Sequence, residues 1–362
     1  MTQEAPCPAC GAPALRFDPE TQALRCSYCG QVAPSNSGPA PEPSEPTAEG
    51  EAALPTARAT GYGTGVRVVS CQTCGATVSF GSNEITKTCD FCGSQHILEQ
   101  EGNAGQDIVR PERIIPFAVD QETAQQSLQA WLGGGWFRPG DLMERAHVED
   151  LGGVYIPFWA FDASVHSYWR AEAGYHYDEQ EVVSTEDGKE QRTVRRTDWR
   201  PVEGERRDHY QDVLVVASKG LPEKLADLLA DSFDLSQLRP YEPSYLTGWR
   251  AEQYSIEIDD AWQKAAKQIE RQQQIKCGRD VPGDTHRSLR VDTTFVDKSY
   301  EHILLPLWIS SYRYGDKVYR CLVNGQTGKV SGEAPLSWPR VAAAVALVAA
   351  LIVGLVVFFT RS

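Results

Sequence analysis

The chain has 362 residues, of which 41% are hydrophobic, 9% aromatic and 23% charged, a make-up that excludes a wholly disordered or fibrous protein. Its formal net charge of −14 argues against a protein that coats nucleic acid, because phosphate contact needs a surplus of Lys and Arg. No apolar leader follows Met1, so no cleaved signal peptide is expected. The ten cysteines are therefore interpreted as metal ligands in a reducing compartment rather than as disulfides.

The first predicted element is a zinc ribbon over residues 1–34. Cys7 and Cys10 form one Cys-x-x-Cys pair, and Cys26 and Cys29 form a second after a gap of fifteen residues. Four thiolates around one Zn2+ need two tight turns, and the glycine after each pair permits the positive φ of such a turn. We expect these four cysteines to bind one metal ion.

A proline-rich linker is predicted next, over residues 35–65. Pro, Ser, Glu, Ala and Gly dominate this stretch, which cannot bury enough apolar surface to order itself. The first ribbon is therefore expected to be a separately tethered module.

A second zinc ribbon is predicted over residues 66–100. Cys71 and Cys74 are followed, after fourteen residues, by Cys89 and Cys92. The sequence Cys-x-x-Cys-Gly-Ala of residues 7–12 recurs at 71–76, which indicates an internal duplication. Redox-active pairs are the alternative, but a thioredoxin-like motif needs one pair in a βαβ context.

Both zinc ions are expected to be structural. Four cysteines fill every position of a tetrahedral site and leave none open to activate water. Neither ribbon carries the basic face that DNA or RNA binding requires, so the ribbons are interpreted as protein-binding modules.

Residues 108–333 are predicted to form an aromatic-rich α+β domain. Helical spacing of apolar residues predicts helices over 121–132, around 221–229 and over 259–276. Runs of β-branched and aromatic residues predict strands over 154–161, 165–177, 213–217, 303–314 and 317–323.

Residues 340–360 are predicted to form one transmembrane helix. Val341–Phe359 contains nineteen residues without a charge, and a helix of that length reaches roughly 28 Å, close to the ~30 Å of a hydrocarbon core. A buried core helix is the alternative. Arg320, Lys329 and Arg340 precede the span whereas Arg361 follows it, which predicts a single-pass inner-membrane protein with its bulk in the cytoplasm.

The fold class is therefore α+β, with two small four-cysteine zinc ribbons, an α+β central domain and one C-terminal transmembrane helix. This pattern resembles a bacterial family of TFIIB-type zinc-ribbon proteins with a C-terminal membrane anchor, often labelled primosomal protein N′ or replication factor Y-like helicase. The likeness covers residues 65–360. Besides the ribbons, the stretches that carry it are residues 154–159 (VYIPFW), 238–241 (LRPY), 245–246 (YL), 305–308 (LPLW) and 323–329 (VNGQTGK).

The helicase label conflicts with the sequence. A phosphate-binding loop reads G-x-x-x-x-G-K-[ST], which occurs nowhere in the chain, and residues 325–330 (GQTGKV) have the wrong spacing. The resemblance implies instead a membrane-bound adaptor that places SPFH-domain and phage-shock-type envelope-stress proteins at the inner membrane.

An enzyme is not expected, because the seven histidines are scattered and no nucleophile–base set is visible. No small-molecule substrate is evident, and the expected partners are proteins and the lipid bilayer. The alternative is a membrane-tethered nucleic-acid-binding zinc-ribbon protein of replication or transcription. A basic cluster interrupted by acidic residues is interpreted as a solvated hairpin or as a contact for anionic lipid. It comprises Arg192, Arg195, Arg196, Arg200, Arg206 and Arg207.

Overall fold

The structure is a computed structural model, and it describes residues 7–12, 15–33, 67–80, 89, 91, 94, 97–100, 109–145, 147–148, 151–185 and 188–361. The predicted linker, residues 35–65, and the predicted ligand Cys92 lie outside the described residues.

The chain divides into two compact units, each assembled from segments distant in sequence. Unit 1 comprises Met1–Phe158, Val216–Glu257 and His302–Ser362. Unit 2 comprises Trp159–Val215 and Ile258–Glu301. The region predicted as one central domain therefore contributes residues to both units.

Strands and helices both occur throughout the described residues, which confirms the α+β class. The strands are β1 (Leu15–Asp18), β2 (Ala23–Cys26), β3 (Val32–Ala33), β4 (Arg67–Cys71), β5 (Thr77–Phe80), β6 (Ile97–Gln100), β7 (Arg113–Ile114), β8 (His147–Val148), β9 (Gly152–Thr185), β10 (Gly188–Val216), β11 (Arg239–Pro240), β12 (Arg250–Glu252), β13 (Thr285–Tyr314), β14 (Lys317–Asn324) and β15 (Val330–Gly332). The α-helices are α1 (Gln121–Gly133), α2 (Leu142–Arg145), α3 (Glu223–Ala230), α4 (Ile258–Asp280) and α5 (Trp338–Arg361).

The predicted helices are confirmed, and local chemistry explains their ends. Asp120 caps α1, since its Oδ1 accepts a hydrogen bond of 2.7 Å from the Thr123 amide. Gly134 directly follows the last residue of that helix. Pro222 precedes α3, and α4 is a few residues longer than the predicted 259–276.

The strands of the two cysteine regions occupy two places in unit 1. Strands β1, β2 and β3 form a small antiparallel sheet in which Leu15 is opposite Cys26. Strand β4 lies between β5 and β6, and β5 pairs in turn with β12. The second cysteine region therefore continues into the larger sheet of unit 1.

Aromatic rings fill the core of unit 1. Phe117 stacks on Trp249 at 3.9 Å between centroids, and Tyr155 and Trp308 meet Phe117 edge-on at 5.1 and 5.2 Å. A Cβ at Gly153 would clash with the Trp249 ring and lie 3.1 Å from Trp308 Cζ3. This position therefore requires glycine because two indoles approach the backbone closely.

The first ribbon packs on this core, whereas the sequence led us to expect a separately tethered module. Phe17 is 1% exposed, and its ring meets that of Tyr245 at 5.1 Å. Its carbonyl accepts a bond of 2.9 Å from Trp249 Nε1, and its amide donates to the Thr247 carbonyl at 3.1 Å. The composition of a linker does not determine whether the module it tethers packs on the rest of the protein, because packing depends on the surface of the module itself.

Unit 2 is built around long strands with α4 packed on them. Ile269 of α4 is buried together with Ala163, Val165 and Tyr210. The sequence predicted separate strands over 154–161 and 165–177, but β9 runs unbroken through both. Polar Asp162 does not interrupt the strand, because its Oδ1 accepts a bond of 2.8 Å from the Asp212 amide.

One helix among the described residues is long and apolar enough to cross a membrane. Its apolar window is Trp338–Leu355, with a mean hydropathy of 2.0, and none of that window is buried. The alternative of a buried core helix is therefore wrong, since none of these residues is buried in the protein.

Candidate metal centres

The first cysteine of each predicted pair makes the same backbone hydrogen bond, and we call the segment that this bond closes a knuckle. The amide of the first cysteine donates to the carbonyl five residues later. These bonds are Cys7 to Ala12 (2.9 Å), Cys26 to Gln31 (2.8 Å), Cys71 to Ala76 (2.9 Å) and Cys89 to Ser94 (2.8 Å). The repetition shows that the two cysteine regions share one local architecture, as the sequence duplication predicts.

Glycine closes the knuckles that are described in full. The amides of Gly11, Gly30 and Gly75 donate back to the carbonyl of the first cysteine at 2.8–2.9 Å. Their φ angles are +72°, +74° and +78°, a region that L side chains rarely adopt. The predicted role of these glycines is confirmed.

All four cysteines of the first cluster converge. The sulfurs of Cys7, Cys10, Cys26 and Cys29 lie within 4.8 Å of one another. The Cys7–Cys29 sulfur distance is 3.6 Å and the Cys10–Cys26 distance is 3.7 Å. A tetrahedral ion with metal–sulfur bonds of ~2.3 Å needs sulfurs roughly 3.8 Å apart, so this donor set could hold one metal ion.

Three cysteines converge in the second cluster. The sulfurs of Cys71, Cys74 and Cys89 also lie within 4.8 Å of one another, and those of Cys74 and Cys89 are 3.7 Å apart. The hydroxyls of Thr73 and Ser94 lie 2.7 Å apart and link the two knuckles. This group could also hold a metal ion, and the predicted fourth ligand, Cys92, is outside the described residues.

The thiols of the first cluster differ in pKa. The backbone N–H of Cys10 lowers the pKa of Cys7 to about 7 against the opposing effect of burial. Despite a hydrogen bond from the backbone of Ala12, burial and the neighbouring cysteine sulfurs raise the pKa of Cys10 to about 12. Cys7 and Cys26 are buried whereas Cys10 and Cys29 face solvent. Four sulfurs this close can all be thiolates only when a cation offsets their mutual repulsion.

The second cluster is held against a loop of unit 1. Gly220 lies so close to Ala76 and Phe91 that a Cβ there would be 2.5 Å from the Ala76 Cβ. Nearby, the Ser218 hydroxyl donates to Glu252 at 2.7 Å. Glu252 is fully buried, and burial raises the pKa of its carboxyl to about 8. The contacts of Gly220 were not predicted, because Gly220 is more than a hundred residues from Ala76 and Phe91 in the chain.

A cavity of about 350 Å³ lies where the first ribbon meets the core of unit 1. Arg16 and Arg25 of the ribbon line it, together with Asp120, Trp249 and Trp308. The Arg16 guanidinium stands 4.0 Å above the Trp249 ring. This cavity was not predicted, since Arg16 is 233 residues from Trp249 in the chain.

Acidic side chains pair with members of the basic cluster, which lies on β10 in unit 2. The pairs are Arg196 with Glu179 and Glu181, Arg200 with Asp198, and Arg206 with Asp208 and Asp280. Strand β10 pairs with β9, the strand that carries Glu179 and Glu181. The arrangement matches the interpretation of this segment as a solvated hairpin.

The two single cysteines are buried, as the sequence predicts for small core residues. Burial raises the pKa of Cys277 and raises that of Cys321 to about 12. Neither belongs to a cysteine cluster among the described residues. Both thiols are therefore protonated at neutral pH.

Among curated proteins, the chain is similar to the uncharacterized protein YdjG of Bacillus subtilis (strain 168), with 29% identity over 238 residues. The match covers 64% of this chain and 66% of that protein, so the chain spans just under two thirds of the relative's length. No family model matches the chain. No solved structure matches it either.

Proposed function

We propose that this protein is a zinc-ribbon adaptor, tail-anchored in the bacterial inner membrane, that recruits soluble proteins to the cytoplasmic face. The clusters supply rigid binding modules and α5 supplies the anchor. Tethering at a membrane raises the effective concentration of a binding module, so weak ribbon contacts suffice to recruit a partner. The resemblance gives SPFH-domain and phage-shock-type proteins as candidate partners.

Tyr28 is the observation that carries the proposal. It lies between the ligands Cys26 and Cys29 and is 83% exposed. Val32, directly after the same knuckle, is 42% exposed. Tyrosine on a rigid surface is enriched among residues that dominate protein–protein binding energy, because it offers a large apolar ring and loses little entropy.

Zinc is the ion that we propose for both clusters. All-cysteine tetrahedral sites suit Zn2+ or iron. We favour zinc because Zn2+ has no redox chemistry and so suits a structural site. The purified full chain should contain two zinc ions per molecule by elemental analysis. Iron in place of zinc would contradict this assignment.

The test of the adaptor role is a pull-down of the detergent-solubilised full chain. We expect a Tyr28→Ala variant to lose a bound protein partner and to keep both metal ions, because the side chain is exposed and is not a ligand. Asp316→Ala, in the β13–β14 turn of the same unit, is the control and should keep the partner.

A Cys71→Ser/Cys74→Ser variant shows whether the second ribbon also contributes. The same samples are assayed for nucleic acid at low and high salt. Nucleic acid that is enriched and then lost steeply with salt would replace the adaptor by the nucleic-acid-binding alternative, because phosphate contacts are salt-sensitive.

A further inference from the structure

Exposed apolar side chains lie on unit 1 beside the first turn of α5. We call them the juxtamembrane patch: Trp136 (78% exposed), Phe137 (46%), Met143 (58%), Leu336 (60%) and Trp338 (75%). Large exposed apolar groups that cluster in this way mark a surface that contacts another apolar phase.

Hydrogen bonds join the loop that carries Trp136 and Phe137 to the start of α5. The Ser337 amide donates to the Phe137 carbonyl at 2.7 Å. Arg340 Nη1 donates to the carbonyls of Arg138 at 2.7 Å and of Trp136 at 3.4 Å. The loop therefore stands at the same level as the first turn of the helix.

The loop itself is firmly held, so its exposed side chains do not result from loose packing. Leu142 is fully buried in the aromatic core, and the Tyr314 hydroxyl donates to Asp141 at 2.9 Å. Arg138 stacks 3.8 Å above the Trp131 ring and donates to the Gly134 carbonyl at 3.0 Å. The loop therefore presents Trp136 and Phe137 outward, and Met143 is exposed on helix α2, which follows the loop.

Helix length gives the depth of this patch in a bilayer. Helix α5 has 24 residues and is thus ~36 Å long, roughly 6 Å more than a hydrocarbon core of ~30 Å. The excess places Trp338 and Arg340 among the headgroups, where tryptophan is enriched and arginine reaches lipid phosphates. Because Arg340 donates hydrogen bonds to the carbonyls of Trp136 and Arg138, residues 136–138 lie at the same depth.

We propose that the juxtamembrane patch inserts into the headgroup region of the lipid bilayer and seats unit 1 directly on the membrane surface. This inference rests on the proposed membrane anchor and adds a second lipid contact outside the helix. The occupant of the patch is lipid, because the patch is continuous with the apolar surface of α5. A unit seated in this way cannot swing freely on its anchor.

The test uses the full chain in vesicles of phosphatidylethanolamine and phosphatidylglycerol. Benzoylphenylalanine, a photo-crosslinking residue, replaces Phe137 or Met143 in separate variants. Val348, in the middle of α5, is the positive control. Tyr28, which is exposed in the first cysteine region, outside both the patch and α5, is the negative control. After illumination, lipid adducts on the protein are quantified by mass spectrometry.

We expect adducts at positions 137 and 143 in yields similar to that at 348 and at least about tenfold above that at 28, since interfacial side chains contact acyl chains. Adducts at 348 but not at 137 and 143 would overturn the patch and leave the anchor standing. Absence of adducts at 348 would overturn the anchor itself. Equal adducts at 28 would show unspecific lipid contact and would also overturn the patch.

Discussion

Single glycines determine whether the knuckles can close. Gly30 has a φ of +74°, and a Cβ placed there would meet nothing within 4 Å, so a substitution strains only the backbone. That strain costs about 1–2 kcal/mol, and Gly30→Ala should therefore weaken metal binding by roughly 5–30-fold. Competition with a chromophoric chelator measures the affinity.

Gly315→Ala is the matched control for this prediction. Gly315 has a φ of +61° and equally open surroundings, but it lies in the β13–β14 turn, away from any cysteine ligand. The variant should carry the same strain and leave metal affinity unchanged. Equal affinities for the two variants and the wild type would show that the Gly30 conformation does not support the site.

A buried histidine makes stability depend on pH. His302 is fully buried, and burial lowers its pKa to about 4, while its Nδ1 lies 2.8 Å from the Val109 carbonyl. As the pH falls below the usual value of ~6.5, the unfolded chain binds a proton that the folded chain does not. His302 should therefore lower the free energy of unfolding by about 2 kcal/mol between pH 7 and pH 5.

Comparison with His302→Gln isolates this effect, since the amide can still donate to the Val109 carbonyl. The buried carboxyl of Glu252 acts in the opposite sense, because its raised pKa of about 8 favours folding as the pH falls. Denaturant unfolding at both pH values should show the loss in the wild type relative to the variant. Identical pH dependences would contradict the prediction.

At the scale of elements, β1 connects the first cysteine cluster to the core of unit 1. Phe17→Ala removes a ring that is 1% exposed, and such a change costs about 3–5 kcal/mol. The variant should unfold at lower denaturant concentration and exchange the amide hydrogens of residues 247–249 faster. Denaturation and hydrogen-exchange mass spectrometry give the two measurements.

Tyr28→Ala provides the comparison on the same ribbon. This side chain is 83% exposed, so its removal should change stability by less than about 0.5 kcal/mol. If the two variants were equally stable, β1 would not be part of the core.

Sequence periodicity predicted the helices and the strand-rich regions, because both patterns are local. It missed the continuity of β9 and the length of β10. Strand β10 carries charged residues along most of its length, so it lacks the apolar pattern of a half-buried strand. Arg196 finds its acidic partners on the neighbouring strand, and such cross-strand pairs become visible only when the pairing is known.

Cysteine spacing predicted eight metal-binding cysteines, and the structure brings seven of them together in two clusters, the eighth, Cys92, lying outside the described residues. The sequence did not predict that Phe17 belongs to the core of unit 1. Its partner Trp249 is 232 residues away, and no local pattern encodes a contact at that separation.

At the scale of the whole molecule, α5 should decide whether the protein is retained in the membrane. Val345 and Leu351 are 64% and 63% exposed in the middle of the helix. An aspartate at each site costs about 2.5–3.5 kcal/mol in a bilayer centre, so Val345→Asp/Leu351→Asp should release the chain into the soluble fraction. Alkaline carbonate extraction of cell membranes measures this.

The control is Val345→Ala/Leu351→Ala, which keeps the helix apolar and should stay in the membrane fraction. If both double variants remained with the membranes, another part of the chain would hold the protein there.

The segmental construction of unit 1 has a consequence for biosynthesis. Trp308 and β14 follow all of unit 2 in the chain, yet they complete the aromatic core begun by Phe117 and Tyr155. A ribosome makes the cysteines of the first cluster about three hundred residues before Trp308, so this cluster could bind a metal ion while the core is still open. Until Trp308 emerges, this core lacks one of its rings, so we expect the nascent chain to expose Phe117 and Tyr155 for longer than the first cysteine cluster needs to close.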